Sequence, residues 1–374
     1  MSAVAAPTAV QASPSTTPVP IAAAREARQV EYVDSFASLC GMLGVLACFD
    51  FEGGQPLLGH PGVYRGDLRK SSDGRVRARV YRGPETAGGT SVRMDFAPED
   101  GADHGTFAVT VDAFGEGDRM TVQWRQWFSK EMVAANGLSG GDIKRDIGGG
   151  GAKQLGINEI GDPAGCSFGE IVTNTYYWSG IASLYHGCGL WYSPKTKAPV
   201  GRADPSDFDM QPGGDNVCRY RYLGYSGEPP IDFIYPTNPV NLLEVPKLSA
   251  VADALRYHGC LGWVAEQWVT FRLEIDIAFC REPWGSKGMP ESCRDLPGQL
   301  RYWMKLENED KPWLVFDVQM PLRWKEGHSE RYGRFLFLPY NTGEKPKADK
   351  PAAFTLYDDI VIARNLAPMP WVRD

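Results

Sequence analysis

An all-β sandwich is the fold class this chain predicts, and three observations carry it. The first is the stretch Gln267 to Phe279, QWVTFRLEIDIAF. From Val269 the odd positions are Val269, Phe271, Leu273, Ile275, Ile277 and Phe279, and the even ones are Thr270, Arg272, Glu274, Asp276 and Ala278. A strict two-residue period rich in β-branched and aromatic side chains predicts an antiparallel strand with one face in a core and one polar face. A helix would scatter the same apolar residues around its circumference. The second observation is punctuation: 42 Gly and 28 Pro fall between short apolar runs, as in a turn-rich β protein. The third is order, since strand patterns follow one another without intervening long helices, which favours a sandwich over an α/β fold.

Taken in order, Met1 to about Ala24 is Ala, Pro, Ser, Thr and Val, and reads as a disordered tail. It has neither the basic start nor the apolar centre of a secretory signal. Ala24 to Ser35 reads as a short lead-in helix, so residues 1–35 form tail and lead-in and residues 36–374 one domain. Gly44–Phe51 reads as the first strand, followed by Val76–Tyr81, Thr90–Phe96 and Thr106–Val111. In Arg119–Phe128, RMTVQWRQWF, residues Val122, Trp124, Gln126 and Phe128 face one way and Thr121, Gln123, Arg125 and Trp127 the other.

The glycine-rich run Gly137–Gly151 lacks the phosphate-loop spacing and reads as a rim loop. Strands are predicted over Lys153–Ile160, Glu170–Trp178 and Ile181–His186. Residues 192–246 show little periodicity and read as a loop-rich capping insertion. Leu248–Arg256 reads as a helix. After the long strand come Gln299–Glu307, Trp313–Met320, Arg334–Pro339 and Phe354–Ala363.

Composition narrows the partners. A net charge of −7 and a pI near 5.4 offer no basic footprint for nucleic acid or an anionic membrane. The longest apolar stretch, around Leu39 to Phe49, is too short to span a bilayer. An acidic chain can still hold an acidic polymer if its cations gather in one cleft. Eleven Trp, 16 Tyr and 16 Phe supply a core and leave some aromatics free to stack on sugars. Eight Cys with no CxxC argue against a zinc or thioredoxin-type site. Cys166 with Cys188 and Cys280 with Cys293 are each spaced to staple a local loop, and an oxidising compartment is expected, with free thiols the alternative.

The segments WRQWF, KQLG, NTYYW, YHGCG, FLPYNTG and FTLYDDIVIAR, in this order, resemble the concanavalin-A-like jelly-roll superfamily. Within it they are similar to polysaccharide lyases acting on uronic-acid polymers, the alginate and glucuronan lyases. The resemblance covers roughly Phe49 to Arg364. It implies β-elimination: a group neutralises the uronate carboxylate, a base takes the neighbouring C–H proton, and an acid protonates the leaving oxygen. Carried onto this chain, it implies Arg125, Gln154 and Asn174 as carboxylate holders and Tyr176 or His186 as base. Tyr185 or Tyr340 is then the acid, and Lys153, Trp127, Tyr177, Trp178, Trp191 and Tyr340 line the sugar.

Where such lyases carry Gln-Ile-His this chain has Gln154-Leu155-Gly156, so the histidine base is absent at that place. The resemblance also suggests that Asp50 and Glu52 on the first strand and Asp358 and Asp359 on the last hold a structural calcium; the alternative is that they are solvent-facing polar positions. No other cofactor is required. An extracellular or periplasmic location is expected, with export on a virion one alternative route. A non-catalytic glycan-binding or virion-associated protein of the same fold is the competing expectation. A glucanase site is disfavoured because Glu274-Ile275-Asp276 lacks the third carboxylate of ExDxxE, position 279 being Phe.

Overall fold

A computed structural model describes residues 31–52, 78–87, 89–96, 107–132, 152–160, 171–175, 182–186, 208–212, 219–222, 232–234, 265–282, 291–293, 295–307, 309, 312–319, 321–323, 329–341, 353–366 and 369–372. The described strands run β1 (Tyr32–Val33), β2 (Val45–Phe49), β3 (Ala78–Tyr81), β4 (Ser91–Phe96), β5 (Phe107–Phe114) and β6 (Arg119–Phe128). Then come β7 (Ala152–Glu159), β8 (Ile171–Thr175), β9 (Ala182–His186), β10 (Phe208–Pro212), β11 (Arg219–Tyr222) and β12 (Asp232–Ile234). The last are β13 (Trp268–Asp276), β14 (Phe279–Cys280), β15 (Gln299–Leu306), β16 (Trp313–Gln319), β17 (Leu322–Arg323), β18 (Tyr332–Asn341), β19 (Ala353–Arg364) and β20 (Trp371–Val372).

They form an antiparallel jelly-roll β-sandwich. The front sheet has the order β12-β11-β10-β9-β8-β7-β18-β5. The back sheet has the order β16-β15-β13-β6-β19-β4-β3, with β2 paired to the far half of β19. Chain neighbours change sheets: β5 is in front, β6 behind and β7 in front again.

The alternation read along β13 and β6 is what builds the core. Val269, Phe271, Leu273 and Ile275 lie against Val122, Trp124 and Phe128 and meet Phe107, Leu155, Ile157, Phe335 and Phe337 of the front sheet. Each large side chain so buried contributes roughly 1.5–3 kcal/mol. Trp124 stacks on Phe271 at 5.4 Å and Phe107 on Phe337 at 4.7 Å, one aromatic contact within each sheet's inner face.

Several expectations are corrected. The lead-in does not stay helical to Ser35: Tyr32–Val33 is β1, paired in parallel with β20, and the first described helix is α1 (Phe36–Cys40), capped by Ser35. Pairing with the chain's other end outweighs local helix propensity there. The region 192–246 is not all loop, because β10, β11 and β12 extend the front sheet. The long strand breaks after Asp276, where β14 leaves to pair with β17. The predicted helix Leu248–Arg256 lies outside the described residues.

The middle of the polar face of β13 is withdrawn from water, while Thr270 and Asp276 at its ends are partly exposed. Arg272 is 3% exposed and Glu274 5%. The Arg272 guanidinium donates to Gln123 Oε1 at 2.7 and 3.0 Å, to Pro370 O at 2.8 Å and to Met369 O, and lies over the Trp371 ring. The C-terminal segment is thus strapped across the back sheet by one cation. Burial pulls its pKa down to about 9, which leaves it charged at neutral pH.

Two disulfides are described. Cys280–Cys293 is one of the two pairs expected; Cys40–Cys48, which ties α1 to β2, was not anticipated. Cys166 and Cys188 lie outside the described residues. Among the described residues no helix is long and apolar enough to cross a membrane.

Candidate functional site

The outer face of the front sheet is set by the register of four neighbouring strands. Leu155 and Ile157 of β7, Ile171 of β8, and Phe335 and Phe337 of β18 all belong to the core. Thr173 is opposite Leu155 and equally buried. The alternate positions therefore make the outer face. There Lys153 is opposite Asn174 of β8 on one side and opposite Tyr340 of β18 on the other. Tyr185 of β9 is opposite Val172, on the same alternation as Asn174.

The register thus sets position 153 of β7 directly between position 174 of β8 and position 340 of β18, across three adjacent strands. Farther out the register sets Asp209 opposite Tyr185, and Gln211 and Asp232 opposite Arg221. Arg221 was missed in the sequence. The alternating RYRY of β11 was the signal for it, masked by the Pro- and Gly-rich segments around it.

The remaining assignments separate. Arg125 belongs to the outer face of the back sheet, on the far side of the sandwich. It donates to Asp359 Oδ2 at 3.1 Å and to Glu307 Oε1 at 3.3 Å, and lies 4.9 Å from the Trp268 ring. Trp127 shares that side, 8% exposed, packed with Trp268 and Leu356 and stacked on Phe354. Neither can join a site on the front sheet. On β9, next to β8, His186 is opposite Ile171 and Tyr185 opposite Val172. Tyr176, Tyr177, Trp178 and Trp191 lie outside the described residues.

Gln154 is corrected for a different reason. It is fully buried and points between the sheets. Its Nε2 donates to Gln126 Oε1 at 3.1 Å, its Oε1 accepts from Tyr302 OH at 3.1 Å, and its backbone oxygen accepts from Tyr357 OH at 3.0 Å. Gln126 in turn accepts from Trp124 Nε1 and donates to Thr355 Oγ1, which donates to Trp127 O. Burial pushes the Tyr357 hydroxyl well above its usual pKa, so it remains a donor. A glutamine with all these partners inside a dry core holds the sandwich and not a sugar.

The acidic group at the junction of first and last strands is electrostatically coupled. Burial raises Asp359, the Arg125 charge opposes this, and Asp50 and Glu52 add to the rise. Asp50 Oδ1 accepts the Glu52 N–H and Glu52 Oε1 the Thr90 N–H, each at 3.2 Å. Among the described residues no group of three or more acidic, His or Cys side chains is arranged to hold a metal ion.

One spelling bears on hydrolase chemistry. Gly165-Cys166-Ser167-Phe168-Gly169 fits GxSxG, a pattern that needs a strand, a sharp turn and a helix. It falls between β7 and β8, antiparallel neighbours in an all-β sheet, and outside the described residues.

No family model and no curated protein matches the chain. Solved structures do. A marine alginate lyase from Aplysia kurodai is 13% identical, over 82% of this chain and 92% of that one, with a TM-score of 0.43. An endo-β-1,4-glucuronan lyase from Trichoderma reesei is 11% identical, over 85% and 94%, with a TM-score of 0.39. The binding domain of botulinum neurotoxin serotype C1 is 8% identical, over 86% and 48%, with a TM-score of 0.37.

Proposed function

We propose that this protein recognises an acidic, uronic-acid-containing polysaccharide on the outer face of its front sheet and cleaves it by β-elimination outside the cell. The observation that carries the reading is the register that sets Lys153 between Asn174 and Tyr340, with Tyr185 on the next strand. In this reading Asn174 and Lys153 neutralise the uronate carboxylate, which makes the neighbouring C–H acidic. Tyr340 or Tyr185 takes that proton and the other tyrosine protonates the leaving oxygen. Tyr176 stays a further candidate for the base. Two disulfides support an oxidising compartment, where such bonds persist.

The test mixes the protein with a panel of uronate polymers and follows the ultraviolet absorbance of the unsaturated product. A rise that falls by ~10²-fold or more in Lys153→Ala and in Tyr340→Phe is expected, since each removes a group that acts in the transition state. A flat trace with measurable polymer binding would replace the lyase by a glycan-binding module. A flat trace without binding would remove the polysaccharide altogether.

A further inference from the structure

The outer-face trio exists because β7 is irregular at one residue. Leu155 and Ile157 point into the core, and a regular two-residue period would send position 153 the same way. That period is interrupted here: Leu155 is opposite Thr173, but Lys153, two residues earlier, is opposite Asn174, only one residue on. The register with β8 shifts between Lys153 and Leu155, where Gln154 is the extra residue. The register with β18 shifts at the same level, where Leu338 and Pro339 lie opposite the single Gln154. Pro339 has no N–H to give the ladder, which makes this a natural place for pairing to fail.

A bulge of this kind places two consecutive residues on one face. Here Gln154 and Leu155 both face the core. What holds Gln154 inward is the set of contacts with Gln126, Tyr302 and Tyr357, from β6, β15 and β19 of the opposite sheet.

We propose that Gln154 is a positioning residue for the outer face of the front sheet: clamped in the core by Gln126, Tyr302 and Tyr357, it fixes the bulge that sets Lys153 beside Asn174 and Tyr340. Its catalytic consequence rests on the lyase reading above; its structural consequence does not. The three clamp residues are remote from the polymer and act only through the backbone of β7.

The experiment uses the full chain and two readouts. Amide hydrogen exchange is measured over residues 152–157 and, as reference, over 269–275, in Gln154→Leu, Tyr357→Phe and the double variant Gln154→Leu with Tyr302→Phe. The double variant also removes the hydroxyl that Gln154→Leu alone would orphan, so it guards against a variant that merely fails to fold. Exchange over 152–157 is expected to quicken roughly tenfold in all three while 269–275 is unchanged. On a cleaved polymer, kcat is expected to fall by about 10²-fold with KM nearly constant, because displacement of a reacting group costs rate more than binding. The low kcat should persist in the double variant even where its melting temperature returns to the parent value.

Unchanged exchange over 152–157 in folded variants would overturn the clamp. Quickened exchange with undiminished cleavage would overturn the positioning role. If the parent chain cleaves no polymer, the lyase reading fails by itself, and the exchange result still decides whether Gln154 holds the bulge.

Discussion

Asp358 and Asp359 occupy a bulge of β19, where the register with β6 shifts and Asp359 adopts a positive φ of 46°. Asp is one of the few residues that tolerate this region, because its short side chain bonds locally. Burial raises the Asp358 carboxyl first, and the neighbouring Asp359 charge raises it further. The consequence for stability follows from proton linkage. The unfolded chain releases this proton near pH ~4, whereas the folded chain keeps it to higher pH. Between those limits the native state binds more protons, so stability is greatest in acid and declines as pH rises through the folded pKa. Asp358→Asn removes the cost and keeps an oxygen to accept the Asp359 N–H, a bond of 2.9 Å in the parent. Thermal melts should show the variant matching the parent near pH ~4 and exceeding it by about 2–4 °C at neutral pH. A constant difference across pH would assign the effect to packing instead.

Elements differ in how far their sequence discloses them. β6 was legible to the residue, and β13 up to its break after Asp276, because they are central strands whose period of two survives along the paired length. Gln154 was not legible: the bulge changes which parity faces the core, and only the Tyr302, Tyr357 and Gln126 contacts from the other sheet reveal it. The same limit misplaced Arg125, since an alternating strand shows that it has two faces but not which sheet it joins. β6 and β7 are successive in the chain yet lie in different sheets.

The loop between β14 and β15 is legible through its cysteines. Cys280 and Cys293, 13 residues apart, are both buried and packed with Leu296. A cross-link over such a loop restrains the unfolded chain by roughly 3 kcal/mol. The pair Cys280→Ala with Cys293→Ala should therefore lower the unfolding free energy, read as urea midpoint times slope, by roughly 3 kcal/mol. An unchanged free energy would show that the cross-link does not restrain the unfolded chain.

Across the whole molecule, two polar surfaces lie back to back. On the back sheet Arg125, Arg93 and Arg119, together with the buried Arg272 and Arg301, are each engaged by the chain itself. Arg93 bonds Asp95 at 2.7 Å and lies 3.6 Å over the Phe354 ring; Arg119 and Arg301 both bond Asp276. Charges spent on internal partners are poorly placed to recognise an external carboxylate, since any ligand must first displace them. In the front sheet Tyr340, Lys153 and Asn174 follow one another in register across β18, β7 and β8, with Tyr185 on β9 opposite Val172.

Packed sheets are about 10 Å apart, and side chains on their two outer faces stand farther apart still, so one sugar chain cannot touch both. This separation makes the two surfaces independently testable. Arg125→Ala loses a half-exposed ion pair worth about 1 kcal/mol or less, and leaves Asp359 to the repulsion of its acidic neighbours. It should lower the melting temperature slightly while kcat/KM on the polymer, per folded molecule, stays within about twofold of the parent, as mutations at distant sites act independently. Lys153→Ala should do the reverse, keeping the melting temperature and losing cleavage. Loss of cleavage in Arg125→Ala at unchanged folded fraction would move the site to the back sheet and return Arg125 to the role of carboxylate holder that its guanidinium suits.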